Sequence, residues 1–180
     1  MKYNKIIFLD IDGVINIPPY EFFNKDCCKR VQRMCDVTGA KIVVSSSWRT
    51  DTVYTTQKVF PDYLQPYIVG VTIRGYHELK DKSELEIERG IEIRHWVDRN
   101  MKYSWKDNPE YDKQYSKYDV NGEWIHMESA ELGKDYTYVI LDDDADMLLE
   151  QKDWFIQCDG EKGFTEENLT EGIKILNQIK

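Results

Sequence analysis

Two groups of aspartates and a run of serines carry the chemistry of this sequence. Asp10 and Asp12 stand two apart in Asp10-Ile11-Asp12-Gly13-Val14, directly after the apolar run 6–9. Ser45-Ser46-Ser47-Trp48-Arg49 follows the apolar run ending at Val44, and Asp142-Asp143-Asp144-Ala145-Asp146 follows the run 138–141. Continuous apolar runs of this length read as strands buried on both faces. The carboxyl ends of such strands are where an open α/β sheet binds its ligands. Carboxylates gathered there repel one another, so a bound cation is needed to keep them ionised. An all-oxygen donor set favours magnesium. Beside such a cation, one carboxylate can attack phosphorus and form an acyl phosphate. A second acid two residues on can protonate the leaving oxygen and then activate water. A hydroxyl, backbone N–H groups and a cationic side chain can bind the phosphoryl oxygens. The pattern suits phosphoryl transfer.

The elements that must hold these groups alternate along the chain. Residues 24–37 predict a helix with Cys28, Val31, Met34 and Cys35 on one side and Lys29, Arg30 and Arg33 on the other, stopped by Gly39. A strand over Lys41 to Val44 follows, then a helix after Trp48 that ends before Pro61. A third strand spans 67–73, and Ile93, Trp96, Val97 and Met101 give helical spacing after Gly90. Strands at 138–141 and 154–157 precede a last helix capped by Thr165, with Leu169, Ile173, Leu176 and Ile179 facing inward. Such alternation implies one α/β domain over residues 1–180, a mostly parallel sheet with helices on both faces. Residues 100–135 interrupt it with an insertion rich in Tyr and Trp. Within that insertion Tyr118 to Ile125, turning at Asn121-Gly122, predicts a hairpin. Its aromatics serve either packing or base stacking.

Composition narrows the partners. The 180 residues carry 24 basic and 33 acidic side chains, for a net charge of -9. A long phosphate backbone is repelled by most of such a surface, whereas a small phosphate compound or a nucleic-acid end held beside a metal is not. No apolar run is long enough to cross a bilayer, so no membrane partner is expected, and the chain reads as cytoplasmic. Cys27, Cys28, Cys35 and Cys158 form no C-x-x-C pair and read as small buried apolar residues rather than a zinc site.

The motifs resemble those of the haloacid dehalogenase (HAD) superfamily of phosphatases. Its four signatures occur here in order: D-x-D-G at Asp10 to Gly13, a strand ending in Ser45, a cationic residue ahead of a helix at Arg89, and the acidic cluster of VILDDDAD. More narrowly, SSSWR, RGIEI-x-x-W and YVILDDDADM are similar to the HAD domains of Swiss-army-knife RNA repair proteins and their stand-alone phage relatives. The resemblance implies a Rossmann-like HAD fold with a small or absent cap, and hydrolysis of a phosphomonoester with Mg2+ through a phosphoaspartyl intermediate. It makes Asp10 the nucleophile and a metal ligand. It makes Asp12 the general acid/base, with its backbone carbonyl on the metal. Asp142 becomes the further metal ligand, supported by Asp143 and Asp146. Ser45 and Arg89 become the catalytic phosphate-binding groups. Arg89 stands where Lys is usual in the family, and Lys80 and Lys82 are alternatives for that cationic role.

Other readings stay open beside this one. Ser46 and Arg49 are candidate substrate contacts. Equally, Ser46 and Ser47 suit a helix cap, Arg49 a surface ion pair and Trp48 the core. The substrate is a nucleotide, a nucleic-acid end or a phosphosugar. A phosphate-binding or signalling module with a receiver-like sheet is the competing class. It places its acceptor Asp on a middle strand, where this sequence has none.

Overall fold

The computed structural model describes residues 2–50, 52–72, 88–102, 117–118, 124–125 and 131–178. Along the chain these form β1 (Lys2–Leu9), α1 (Lys25–Thr38), β2 (Lys41–Val44), α2 (Val53–Gln57), β3 (Ile68–Val71) and α3 (Arg89–Lys102). After these come β4 (Lys117–Tyr118), β5 (Trp124–Ile125), β6 (Glu131–Asp142), β7 (Phe155–Gln157) and α4 (Glu166–Leu176). Lys80, Lys82, Ile73 and Ile179 lie outside the described residues.

Five strands make one all-parallel sheet in the order β3-β2-β1-β6-β7. Successive residues of a strand point to opposite faces, and the core divides accordingly. Ile7, Leu9, Ile42, Val44, Val139 and Leu141 pack on one face with Val31 and Met34 of α1 and Leu169 and Leu176 of α4. Ile6, Phe8, Val43 and Ile140 pack on the other with Ile93, Trp96 and Val97 of α3. Both faces are covered, which is why the strands read as unbroken apolar runs. From β1 the chain builds one half of the sheet outward through β2 and β3, then crosses to β6 and β7. The topological switch therefore falls at β1, between β2 and β6. A receiver-type sheet interleaves its first strands differently, so strand order sets that alternative aside.

The helix ends follow their side chains. Asn24 accepts from the N–H groups of Asp26 and Cys27 at the start of α1, and Gly39, at φ 74°, closes it by donating to the Cys35 carbonyl. Thr165 caps α4. The buried stripe of α4 is Leu169, Gly172, Ile175 and Leu176, with Ile173 half-buried, a rotation of the expected face. Thr52, not Ser46 or Ser47, caps α2. β1 and β6 both run further toward their N-termini than their apolar runs suggest. Tyr3 pairs with Leu132 there, whereas β2 joins β1 only from Ile6, so the outer half lacks full cover and tolerates Asn4 and Lys5. The two strand segments expected of the hairpin pair antiparallel, Tyr118 opposite Trp124; the turn at Asn121-Gly122 and most of the 100–135 insertion lie outside the described residues. The segment between Asp12 and α1 is short and irregular, in keeping with a small or absent cap at that point. All four cysteines are buried free thiols, and burial pushes Cys28 and Cys35 up to about 12, which keeps them unreactive.

Candidate active site

Strand register brings the reactive residues together. Leu9 pairs with Val44 on one side and Leu141 on the other, so Asp10 emerges level with Ser45 and Asp142. The Asp10 N–H donates to the Leu141 carbonyl at 3.0 Å, and the Ser45 N–H to the Leu9 carbonyl at 2.8 Å. Carboxylate oxygens of Asp10, Asp142 and Asp143 lie within 4.8 Å of one another. Asp10 and Asp142 are buried, and Asp143 is half-buried.

Burial pushes the Asp10 carboxyl up to about 6, opposed by the Arg89 charge and a hydrogen bond from Ser46. Burial, reinforced by the Asp10 charge, pushes Asp142 up to about 8, again opposed by Arg89. Asp143 is raised as well, chiefly by burial. Carboxyls this crowded resist ionisation unless positive charge is supplied. All the donors are hard oxygens, and the neighbouring Cys158 thiol is held protonated by burial and by the charges of Asp142 and Asp143. The set fits magnesium rather than zinc.

Arg89 supplies part of that charge. Its guanidinium reaches Asp142 at 3.6 Å, Asp10 at 3.9 Å and Glu92 at 3.1 Å. Asp146 fixes the start of α3: its carboxylate accepts from the Arg89 N–H at 2.8 Å, and its carbonyl from the Gly90 N–H at 3.2 Å. Asp146, expected to support Asp142, is thus bonded to the backbone at the start of α3. Asp143 stands in the carboxylate cluster itself rather than behind it. Gly13, at φ 71°, is what lets it in, because a Cβ there would meet the Asp143 carboxyl at 2.2 Å.

The serine segment divides its duties. Ser45 is buried, and its hydroxyl accepts from Thr72 at 3.4 Å. Ser46 is the hydroxyl that bonds Asp10. Arg49 is not on the surface: it is 6% exposed, donates to the Ser46 carbonyl at 2.5 Å and pairs with Glu92 at 2.6 Å. Glu92 therefore bridges Arg49 and Arg89. Its only sequence signal was the three-residue spacing from Arg89 on one helix face.

Asp12 is half-buried, and its carboxylate stands outside the three-acid cluster. Oδ1 accepts from Asn16 Nδ2 at 2.6 Å and Oδ2 from Trp48 Nε1 at 2.7 Å. Trp48, expected in the core, is 40% exposed, because its indole N–H finds its partner at the rim of the site. Nothing in a lone sequence distinguishes this indole from a core one.

A parallel sheet in this order, with an aspartate pair at the switch strand facing an acidic cluster on the next, defines a HAD-type domain, the class of a phosphatase. Over residues 6–107, more than half of the chain, the sequence matches the family model described as HAD domain in Swiss Army Knife RNA repair proteins, and the chain belongs to that family. Comparison with curated proteins and with solved structures gives no match. The matched span stops short of Asp142, which the sheet nevertheless delivers beside Asp10.

Proposed function

We propose that the protein is a magnesium-dependent phosphomonoester hydrolase that works through a phosphoaspartate at Asp10 and acts on a nucleotide or a nucleic-acid end. The observation that carries this reading is the convergence of Asp10, Asp142 and Asp143 under the Arg89 guanidinium at the switch strand. An Asp10 oxygen attacks phosphorus while the bond to the leaving oxygen breaks, and that oxygen takes a proton from Asp12. Water then attacks the acyl phosphate and gives its proton back to Asp12. The bond from phosphorus to Asp10 breaks, releasing inorganic phosphate and restoring the carboxylate. Arg89 offsets charge that grows on the phosphoryl oxygens. Ser46 orients Asp10, and Ser45 ends the neighbouring strand as the family's phosphate-binding hydroxyl. Magnesium held by Asp10, Asp142, Asp143 and the Asp12 carbonyl supplies charge neutralisation and phosphate orientation.

The nucleotide preference rests on the surroundings of Asp12. Trp48 is exposed beside it, and Tyr20 and Phe22 are exposed on the segment leading to α1. A flat leaving group can stack there, and the net charge of -9 disfavours a long polyanion. The test is turnover of nucleotides, oligonucleotides bearing 3′- or 5′-phosphate, and sugar phosphates, with magnesium and with EDTA. Wild type is expected to release phosphate from the first two classes only with magnesium, and folded Asp10→Asn from none. Normal turnover by Asp10→Asn ends the mechanism; preference for hexose phosphates ends the nucleotide assignment.

A further inference from the structure

One short loop touches both aspartates of the first motif and reaches Arg89 through Glu92. Ser46 bonds the Asp10 carboxyl, and Arg49 reaches Arg89 through Glu92. Between them Trp48 donates its indole N–H to Asp12 Oδ2 at 2.7 Å. We infer that Trp48 is a positioning residue for Asp12, fixing the plane of the carboxyl that transfers the proton. This rests on the phosphatase reading above and adds to it a residue that never touches phosphorus.

Asp12 has two anchors of different kinds. Asn16 is 1% exposed and is pinned by backbone bonds: its N–H donates to the Ile11 carbonyl and its own carbonyl accepts from Gly13, both at 2.8 Å. Its amide holds Oδ1 at 2.6 Å. One hydrogen bond leaves a carboxyl free to pivot about that contact. The second, from Trp48 to Oδ2, sets the plane, and plane decides whether a proton can travel along a straight hydrogen bond. Trp48 is itself steadied. Its backbone N–H donates to Ser46 Oγ at 3.3 Å, and its ring lies 5.7 Å from that of Phe23, which in turn lies 5.4 Å from Phe60. Packing alone is a poor account of a tryptophan that stays 40% exposed. The directed N–H bond to a carboxylate is its distinctive contact.

The consequence is selective. When the leaving oxygen is basic, it cannot depart without a proton, and the orientation of Asp12 limits the rate. When the leaving group is p-nitrophenolate, no proton is needed. Replacing Trp48 with β-(3-benzothienyl)alanine keeps the ring system and exchanges N–H for sulfur; Trp48→Phe gives the encoded counterpart. Single-turnover formation of the phosphoenzyme is measured with an alkyl phosphate and with p-nitrophenyl phosphate. Both variants are expected to lose about tenfold or more on the alkyl ester and about twofold or less on the aryl ester. Their melting temperatures should stay near wild type. A loss equal on both esters, or none on the alkyl ester, overturns the positioning role while leaving the phosphatase reading in place. A wild-type protein inactive on both esters overturns both.

Discussion

Raising the pH on metal-free protein should weaken the fold, and added magnesium should reverse the trend. Asp10 and Asp142 have native values of about 6 and about 8, both above the ordinary carboxylate value of 3.8. For an acid raised in this way, the native state holds its proton longer than the unfolded chain. Below the unfolded value both states are protonated and the stabilisation is fully present. It is lost as pH rises through the native values. Each carboxyl still protonated in the native state but ionised in the unfolded one removes about 1.4 kcal/mol per pH unit. Between pH 6 and 8 the retained proton sits mainly on Asp142. For a chain of this size that slope lowers the melting temperature by about 3–5 °C per pH unit. Magnesium requires the ionised carboxylates, so binding releases protons and its stabilisation grows over the same window. The assay is a melt in EDTA and in excess magnesium at half-unit steps from pH 5.5 to 8, with Asp142→Asn alongside to isolate that carboxyl. Wild type in EDTA should fall with pH, the magnesium curve should separate from it upward, and Asp142→Asn should be flatter in both. A wild-type slope that Asp142→Asn reproduces refutes the reasoning.

Three further outcomes follow from other contacts. Arg49→Met should cost about 3–5 kcal/mol by stripping a buried partner from Glu92, whereas Arg49→Met with Glu92→Met should cost less than the sum of the singles; additive losses in urea unfolding would argue against the buried pair. Gly13→Ala must strain the backbone and displace Asp143, so it should lower the melt in EDTA and abolish the added stabilisation by magnesium; an unchanged magnesium shift would remove Asp143 from the cluster's function. Replacing residues 120–125 with a Gly-Ser loop should raise KM for nucleotides relative to p-nitrophenyl phosphate, and equal KM values in a folded variant would remove the hairpin from recognition.

Periodicity and strand ends revealed most of the frame, because burial on both faces writes itself as continuous apolar runs. Ile6 to Leu9 and Lys41 to Val44 could hardly be anything else, and each ended at a reactive residue. The extra length of β1 and β6 was hidden because half-covered strands carry Asn4 and Lys5, which break the apolar signal. Local chemistry marked Gly39 and Thr165 as helix ends. What stayed illegible was the direction of long side chains. Arg49 looks the same in sequence whether it meets solvent or a buried Glu92 forty-three positions away. Trp48 reads as core by type, and only the placement of Asp12 tells otherwise. Asp143 joined the cluster because Gly13 yields space to it, a contact between two motifs that no single motif contains.

The charges of the site explain why these side chains occur together. Ionised Asp10, Asp142, Asp143 and Glu92 face the guanidiniums of Arg49 and Arg89, which leaves two negative charges in a largely buried space. That excess adds to the burial that raises Asp10 and Asp142, and it would repel an incoming phosphate dianion. One divalent cation balances it. A third arginine would offset only one of the two charges and would tie up the carboxylate oxygens themselves, because a guanidinium binds carboxylates in pairs of hydrogen bonds. Arg89 avoids that difficulty by being shared: Glu92 holds one edge of its guanidinium, and its distances of 3.6 and 3.9 Å to Asp142 and Asp10 are too long for firm hydrogen bonds. It therefore lends charge to the acids while leaving their oxygens available. Glu92, in turn, is held in its buried position by Arg49 as well, which takes its other oxygen at 2.6 Å. The segment that carries Ser45 thus also carries the arginine that, through Glu92, keeps Arg89 in place.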